Sequence, residues 1–406
     1  MNIQTLKGFR DFKGDVARKR DYVKNTLKSV FEKYGFEPLE TPVLEYEELL
    51  NGKYGEEGDK LMYRFEDNGG RKVAMRYDQT VPTARYVAQY ASVLSNPFKR
   101  YQMQNVYRAD NTQKGRYREF LQCDIDTIGV NSTLSDAEII AAVADGYKAL
   151  GFKEIKILLN DRSIFEGLSP ISIAIIDKLK KIGEDGVVEE LVARNECKTV
   201  EEAKNLLQSI LDAKMPERLN DVFSKLSEMK IDSNILEYSP TLARGLDYYT
   251  GLIFEVEIPQ YTVGSVCGGG RYDNLIGMFA GKQIPAVGCA FGFDRTVEAM
   301  EELNLFPSEL NNSSSKVLVT IFNRELETRS LEISYQLRNK KIPTELWLDP
   351  DSKMEKQLKY ADSQKIPYVV IIGPEEAEKN IYTLKNLNDR TQEQLPIDEL
   401  IAKLQQ

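Results

Sequence analysis

Apolar residues near the start of the chain follow the period of a helix. Val23, Leu27 and Tyr34 fall on one face of a helical wheel, and Gly35 follows. This spacing predicts an amphipathic helix over residues 15–34. The stretch that follows is predicted to be extended.

Further along, two runs have the composition of strands. Residues 98–108 and 117–128 flank the polar stretch 109–115. Together they predict a long antiparallel hairpin.

The second strand of this hairpin has one polar face. Alternate residues of a strand point to the same side, so Phe120, Gln122, Asp124 and Asp126 share a face opposite the largely apolar residues between them. Such a face belongs either to a solvated surface or to a lined pocket. The alternation alone favours neither.

Helical spacing without strand signals fills residues 163–234 and predicts a helical insertion. Before it, Ser135 and Glu138 form a predicted capping box for a helix that ends by Gly151. After it, residues 252–258 read as a strand.

Two further segments have features of ligand-binding sites. Glycines crowd residues 264–270, where the backbone can approach a ligand closely. Residues 286–291 then run into a helix that starts near Asp294, which places Arg295 in its first turn. Backbone N–H groups and the helix dipole favour an anion there. Each of these patterns is weak by itself.

The final part of the chain follows the linker-like residues 311–315. Strands and helices alternate beyond it, which predicts a small α/β domain with a largely parallel sheet. The predicted strands are 317–322, 344–348 and 368–373, and the predicted helices are 325–340 and 353–363. The predicted domains are a core (1–162 and 235–310), the insertion (163–234), the linker (311–315) and the C-terminal domain (316–406).

Composition excludes several classes of protein. The 406 residues are 42% hydrophobic and 29% charged, as in ordinary globular proteins. No run approaches the roughly 20 apolar residues that span a bilayer, and residues 1–10 lack the apolar core of a signal peptide. We therefore expect a cytoplasmic protein with no membrane partner. The net charge of -9 argues against non-specific nucleic-acid binding, although a local cluster such as Lys114, Arg116 and Arg118 can still bind phosphates.

The chain contains no histidine. Imidazole bases and histidine metal ligands are therefore excluded, and catalysis must use arginine, carboxylates, tyrosine or backbone groups. The four cysteines lie far apart without a CxxC pair, so we expect core or site-lining thiols and no zinc.

Arginines are the candidate anion ligands. Arg108 and Arg116 bracket the hairpin loop and could converge on one phosphate group, which guanidinium binds in a bidentate manner. Arg118 fits a surface position better. Arg244 opens the segment RGLDYYTG (244–251), whose tyrosines are suitable partners for a polar ligand.

Taken together, these segments resemble histidyl-tRNA synthetases over essentially the whole chain. The shared motifs are KGFRD (7–11), FEPLETP (36–42), MRYDQTVP (75–82), YRAD (107–110) with GRYREFLQCD (115–124), RGLDYYTG (244–251), GGGRYD (268–273) and residues 288–295. The segment 244–251 is the one that points to histidine. The expected fold is an α+β class II synthetase catalytic core, an antiparallel sheet flanked by helices, with a helical insertion and a C-terminal α/β anticodon-binding domain.

The resemblance implies a histidine–tRNA ligase that forms histidyl-adenylate from ATP and transfers histidine to the 3′-terminal ribose of its tRNA. The implied catalytic residues are Arg108, Arg244 and Arg295. The implied ATP-binding residues are Arg108, Asp110, Arg116, Phe120 and Arg295. The implied histidine-binding residues are Asp78, Thr80, Gln122, Asp126, Arg244, Tyr248, Tyr249 and Tyr272.

The resemblance also implies cofactors and partners. Magnesium is expected with ATP, held mostly by phosphate and water oxygens. The loop at Gln113 would face the acceptor end of the tRNA, and the C-terminal domain would bind the anticodon. A homodimer is expected through the region of Pro42 and the helix before it. Asp78 and Asp110 stand where many relatives have glutamate, so each reaches one methylene less far.

Other classes of protein remain as alternatives. A regulatory subunit of ATP phosphoribosyltransferase shares the synthetase core but lacks the anticodon-binding domain and usually the arginine at position 244. A synthetase for proline, threonine or glycine would lack the segment 244–251. An inactive RNA-binding sensor would be expected to lack one or more of the arginines implied for catalysis and ATP binding. This sequence has all of them: Arg108, Arg116, Arg244 and Arg295.

Overall fold

The computed structural model describes residues 1–244, 248–311 and 313–405, without the side chains of 55–57. The middle of the segment 244–251 and Asn312 of the predicted linker therefore lie outside the described residues. The chain forms two compact units, one of Met1–Asp11 with Arg20–Leu305 and one of Phe12–Lys19 with Phe306–Gln406. None of the described helices is long and apolar enough to cross a lipid bilayer.

The elements before residue 305 alternate between strands and helices. The strands are β1 (Glu37–Pro38), β2 (Leu44–Tyr46), β3 (Arg64–Glu66), β4 (Lys72–Met75), β5 (Phe98–Tyr107), β6 (Glu119–Ile128), β7 (Lys156–Asp161), β8 (Leu236–Tyr238), β9 (Leu252–Glu257), β10 (Cys267–Arg271) and β11 (Ala286–Gly292). The helices are α1 (Gly14–Lys33), α2 (Glu47–Leu50), α3 (Gly55–Lys60), α4 (Thr80–Tyr90), α5 (Thr133–Ala149), α6 (Pro170–Ile176), α7 (Leu179–Ala193), α8 (Val200–Leu211), α9 (Glu217–Glu228), α10 (Gly277–Ala280) and α11 (Phe293–Glu302).

An 8-stranded sheet in the order β1-β5-β6-β11-β10-β9-β7-β8 organises the first unit. Its neighbours run antiparallel except for β1 with β5 and β7 with β8. The predicted hairpin is confirmed, since β5 and β6 pair from Phe98 opposite Ile128 to Tyr107 opposite Glu119. A separate 3-stranded antiparallel sheet has the order β2-β4-β3.

Helices cover the apolar face of the large sheet. Phe31 of α1 and Tyr147 of α5 both pack against Phe291 of β11, each with ring centroids 5.4 Å apart. Cys123 and Ile125 of β6 are fully buried on this side. Burial of these apolar side chains leaves the polar face of β6 for the opposite side of the sheet.

The predicted capping box is wrong. The N-cap of α5 is Ser132, whose hydroxyl oxygen accepts a hydrogen bond from the Leu134 N–H at 3.1 Å. Ser135 lies inside the first turn and donates to the Ser132 carbonyl oxygen at 2.6 Å. Because the helix begins before Ser135, the Glu138 side chain has no N-cap to reach, and its carboxylate pairs with Lys99 at 2.8 Å.

The second half of the glycine-rich stretch forms strand β10, for which no secondary structure was predicted from the sequence. A Cβ at Gly269 would lie 2.2 Å from the Gly288 carbonyl oxygen of the neighbouring strand. Glycine is required here by the close approach of β11, a long-range contact that local sequence does not reveal.

Arg271 at the end of β10 is a structural residue, although it lies in the motif 268–273. Its guanidinium, 1% exposed, pairs with the fully buried Asp136 carboxylate at 2.5 Å and donates to the Val130 carbonyl oxygen at 2.8 Å. Arg218 approaches the second oxygen of Asp136 at 3.1 Å. This pair joins α5 to the sheet beneath the site.

Asp136→Ala is expected to lower the free energy of unfolding by about 3–5 kcal/mol, because Arg271 keeps a buried charge without its main partner. Urea denaturation measures this. Lys180→Ala, which removes the exposed pair of Lys180 with Glu257, is the control and should cost at most about 1 kcal/mol. Equal losses of unfolding free energy in the two variants would show that the buried pair stabilises the protein no more than an exposed one.

The segment predicted to be a helical insertion contains α6 to α9. Their apolar residues, such as Ile176, Val187 and Leu207, form one cluster with Leu158 and Ile253 of the large sheet. Each of α6 and α8 begins at a side-chain cap, Ser169 and Thr199 respectively. These helices pack next to Tyr249, which belongs to the same cluster.

The second unit contains a 5-stranded sheet in the order β13-β12-β14-β15-β16. Its elements are β12 (Val317–Val319), α12 (Glu327–Asn339), β13 (Thr344–Leu346), α13 (Met354–Ser363), β14 (Tyr368–Ile371), α14 (Pro374–Lys379), β15 (Ile381–Asn386), β16 (Gln392–Pro396) and α15 (Ile397–Gln405). The alternation predicted as far as β14 is confirmed. The sheet is only partly parallel, because β15 and β16, which were not predicted, run antiparallel.

Candidate active site

A cavity of about 550 Å³ opens on the polar face of the large sheet. Every predicted site residue lines it: Asp78, Thr80, Arg108, Asp110, Arg116, Phe120, Gln122, Asp126, Arg244, Tyr248, Tyr249, Tyr272 and Arg295. These residues come from distant parts of the chain, so the fold alone brings them together.

The polar face of β6 forms the floor of this cavity. Phe120, Gln122, Asp124 and Asp126 all line it, and the two aspartates are almost completely buried. Of the two interpretations that the alternation left open, the lined pocket is the one seen. At about 3.4 Å per residue, Phe120 and Asp126 lie roughly 20 Å apart along the strand, so the cavity is elongated.

Arg108 stands at the Phe120 end. Its Nε donates to the Tyr77 carbonyl oxygen at 3.0 Å, and its guanidinium lies 4.4 Å from the Tyr77 ring and 5.2 Å from the Phe120 ring. The aromatic contacts fix the guanidinium without neutralising it. Arg108 is therefore available to an anion near Phe120.

Arg116 and Arg295 lie together at the same end. Arg295 donates to the carbonyl oxygens of Gly115 at 3.3 Å and Ser265 at 2.8 Å. Burial lowers the pKa of Arg295, and the charge of Arg116 acts in the same direction. The nearest carboxylate of Arg116 is Asp110, at 3.9 Å. Two guanidinium groups that repel each other would be stabilised by a polyanion such as a triphosphate.

Arg244 enters the cavity from a strained backbone. Its φ is +59°, and Asp177 holds the turn by accepting from the N–H groups of Ala243 at 3.0 Å and Arg244 at 3.2 Å. Its Nη1 donates to Glu255 at 2.7 Å. A Cβ at Gly268 would lie 1.8 Å from that same Nη1. Only glycine at 268 leaves room for the guanidinium.

Asp78 and Thr80 mark the start of α4. The buried Asp78 carboxylate accepts from the Tyr54 hydroxyl at 2.9 Å and from the Val81 N–H at 3.1 Å. Burial raises the pKa of Asp78, and those two hydrogen bonds oppose the rise. A carboxylate kept in place in this way suits a ligand ammonium group.

Asp126 lies at the other end of the cavity from Phe120. Its Oδ1 accepts a hydrogen bond from the Tyr272 hydroxyl, and its Oδ2 lies 2.6 Å from the Arg100 Nη2. A Cβ at Gly288 would lie 1.9 Å from Oδ1, so this glycine makes room for the carboxylate. Tyr248 packs beside Tyr272, with ring centroids 6.1 Å apart.

Several lining residues were missed from the sequence. The Tyr54 hydroxyl donates a hydrogen bond to Asp78. Asp177 and Glu255 orient Arg244. Asp294 lines the cavity beside Arg295. Helix and strand patterns do not distinguish such supporting residues from surface ones. Arg100, on β5, supports Asp126 and could have been suspected only from a charge inside a predicted strand.

The arrangement can hold two charged ligands side by side. The arginine-rich end suits a triphosphate, and the end with Asp78 and Asp126 suits a small molecule with an ammonium group and a polar side chain. Among the described residues, no three side chains are grouped as a metal site.

Comparison with known proteins decides the family. Residues 8–296 match the family model described as histidyl-tRNA synthetase, and residues 316–406 match the anticodon binding domain. The chain belongs to the histidyl-tRNA synthetase family. The predicted family, fold class and enzyme class, a histidine–tRNA ligase, are confirmed.

Individual relatives agree with this assignment to the histidyl-tRNA synthetases. The chain is 39% identical to the histidine–tRNA ligase of Cytophaga hutchinsonii, with 98% of each chain covered. It is 37% identical to that of Christiangramia forsetii, again with 98% of each covered. The crystal structure of histidyl-tRNA synthetase from Nostoc sp. PCC 7120 superposes with a TM-score of 0.84 at 28% identity, covering 100% of this chain and 99% of the other.

Proposed function

We propose that the elongated cavity binds ATP at its Phe120 end and histidine at its Asp126 end, and joins them as histidyl-adenylate. The observation that supports this is the separation of charge along the floor: Arg108, Arg116 and Arg295 at one end, Asp126 at the other. An in-line attack of the histidine carboxylate on the α-phosphate takes place between the two ends; it breaks the bond between the α-phosphorus and the oxygen that bridges to the β-phosphate, and pyrophosphate leaves.

Positioning and charge stabilisation account for the catalysis. Phe120 stacks on adenine, Arg116, Arg295 and Asp110 hold the outer part of ATP, and Arg108 and Arg244 contact the α-phosphate where charge accumulates. A preorganised donor of this kind lowers the barrier by roughly 3–4 kcal/mol. The support is that Arg244 and Arg108 are both held in place before ligand arrives.

The histidine contacts follow from the opposite end. Asp78 and Thr80 bind the α-amino group, and Gln122 lies near the carboxylate. Asp126, Tyr248, Tyr249 and Tyr272 surround the imidazole ring. A pocket that hydrogen-bonds both sides of a polar ring can reject analogues without those atoms by about 10⁴–10⁵.

Magnesium would accompany ATP in this proposal. The carboxylate of Asp110 lines the cavity and would offer the kind of oxygen ligand that Mg²⁺ prefers. Phosphate and water oxygens would supply most of its ligands, and the ion would neutralise charge on the outer phosphates.

The second half-reaction needs tRNA(His). The loop at Gln113, which closes on itself through the Arg116 N–H to Gln113 carbonyl hydrogen bond of 2.9 Å, faces the acceptor end. The unit matched to the anticodon binding domain binds the anticodon. We propose the domain limits that the sequence predicted. We also propose that the protein works in the cytoplasm.

Charging of a tRNA(His) transcript tests this function. Full-length protein with ATP, Mg²⁺ and labelled histidine is expected to attach histidine to the transcript, and a transcript for another amino acid is the control. Histidine binding without charging would instead support the regulatory-subunit alternative.

A homodimer through the small sheet is the proposed assembly. Leu44 and Tyr46 of β2 and Phe65 of β3 are 42%, 52% and 47% exposed, an unusual grouping of apolar side chains on one small sheet. These strands follow Pro42 in the region where dimer contacts are expected.

Tyr46→Lys is expected to shift the protein from dimer to monomer in sedimentation velocity, because the lysine places a charge in an apolar interface. Val200→Lys, at a 53% exposed apolar position on α8, is the control and should leave the dimer intact. A wild-type protein that sediments as a monomer at micromolar concentration would disprove this interface.

A further inference from the structure

The floor of the side-chain end contains more negative than positive charge. Asp124 and Asp126 of β6 share the single guanidinium of Arg100, which is completely buried on β5. Its Nη2 lies 2.6 Å from Asp126 Oδ2 but 4.0 Å from Asp124 Oδ2. One arginine therefore faces two carboxylates.

Other charged groups lie nearby. Burial raises the pKa of Asp124 well above its ordinary value; Arg100 and Arg108 oppose this rise, whereas Asp126 and Asp78 add to it. Asp78 and Arg108 carry opposite charges and offset one another. Arg76, which is also buried, acts on Asp124 from outside the cavity, where the carbonyl oxygens of Thr41 and Asn105 hold its guanidinium.

The other ionisable groups around these aspartates include Tyr248, Tyr272 and Cys289, and burial raises the pKa of each well above its ordinary value, which keeps them neutral. Because burial also raises the pKa of Asp124, a proton on this carboxyl can balance the empty pocket, whereas a cationic ring can balance it when the ligand is bound.

The oxygen atoms of the two carboxylates show what kind of ligand fits. Within the described residues, Asp124 Oδ1 is buried without a hydrogen-bond partner, and Asp126 Oδ2, which lies 2.6 Å from the Arg100 Nη2, makes no aligned hydrogen bond. Both carboxylates line the cavity two positions apart on one strand, roughly 7 Å at the backbone. A neutral imidazole has one N–H donor and one acceptor nitrogen, whereas an imidazolium has two donors for two acceptors.

We propose that Asp124, acting with Asp126, makes the pocket select histidine in its imidazolium form. Asp124 is thus a specificity-determining residue that supplies the second negative charge and the second acceptor. The inference rests on the proposed function, since it concerns the ring of the amino acid that the cavity binds.

Protonation of the bound ring needs a source of the proton. The ring of free histidine has a pKa near 6.5, so at pH 8 most of it is neutral and gains a proton on binding. Asp124, whose pKa is raised by burial, can supply that proton within the pocket, so the state of the bound ring and not the net proton uptake is the property to measure.

The absence of histidine from the chain makes the decisive measurement simple. With protein lacking a polyhistidine tag, every imidazole signal comes from the substrate. Histidine labelled with ¹⁵N in the ring, bound to the full-length protein at pH 8, is expected to show both nitrogens at imidazolium shifts. Asp124→Asn, which keeps the shape and removes the charge, should return the ring to a neutral tautomer.

Asp110→Asn is the control, since it changes a carboxylate at the ATP end and should leave the ring protonated. A neutral ring in the wild-type complex would overturn the inference, and an imidazolium in the Asp124→Asn complex would overturn the role of Asp124. The ring nitrogen shifts of the wild-type complex decide the charge state even if the variant folds poorly. Failure of histidine to bind at all would instead contradict the proposed function itself.

Discussion

Arg244→Ala is expected to slow histidine-dependent ATP–pyrophosphate exchange by roughly 10²–10³-fold. The guanidinium is held by Glu255 at 2.7 Å and its backbone by Asp177, so it is aimed before substrate binds. In the proposed mechanism it contacts the α-phosphate only as charge develops there. The loss should therefore appear in kcat more than in the KM for ATP.

Two variants separate this role from a merely structural one. Arg244→Lys keeps the charge but not the planar fork, so it should recover only part of the activity. Arg162→Ala removes a neighbouring arginine that donates to the Ala243 carbonyl oxygen at 3.3 Å and does not line the cavity, and it should exchange at nearly the wild-type rate. Wild-type exchange by Arg244→Ala would remove this arginine from the mechanism.

Gly268→Ala is expected to lower the same exchange rate by up to roughly 10²-fold, the effect of misplacing a catalytic group by about 1 Å. The added methyl carbon would lie 1.8 Å from the Arg244 Nη1, so the guanidinium must move. Because that group is the end of a flexible side chain, thermal stability should change little. Activity and stability are thereby separated in one variant.

Gly251→Ala is the matched control for Gly268→Ala. Its nearest neighbour would be the Arg271 Cδ at 3.4 Å, an ordinary van der Waals contact. Both activity and stability should stay close to wild type. If Gly268→Ala were fully active, the position of Arg244 seen here would not be the catalytic one.

The alternation of apolar and polar residues along β6 explains why the floor of the cavity could be predicted. On β6 the apolar residues Cys123 and Ile125 are buried against helices, so the residues between them had to face the other way. Alternation alone left surface and pocket equally open. The resemblance of the motifs, and then the fold, decided between them.

Long-range contacts explain what could not be predicted. The strand at Gly269 exists because β11 approaches it closely, and neither partner can be recognised from local composition. Arg100 looked like any charged residue in a strand until its carboxylate partners were placed beside it. The start of α5 at Thr133 was missed because Ser132 and Ser135 are equally good caps by sequence.

The most direct test of histidine activation is ATP–pyrophosphate exchange measured separately with each of the twenty amino acids. Exchange that depends on histidine alone is the predicted result. Exchange with no amino acid would contradict the claim that the protein activates an amino acid. Exchange with a different amino acid would contradict the assignment of Asp126, Tyr249 and Tyr272 to the imidazole ring.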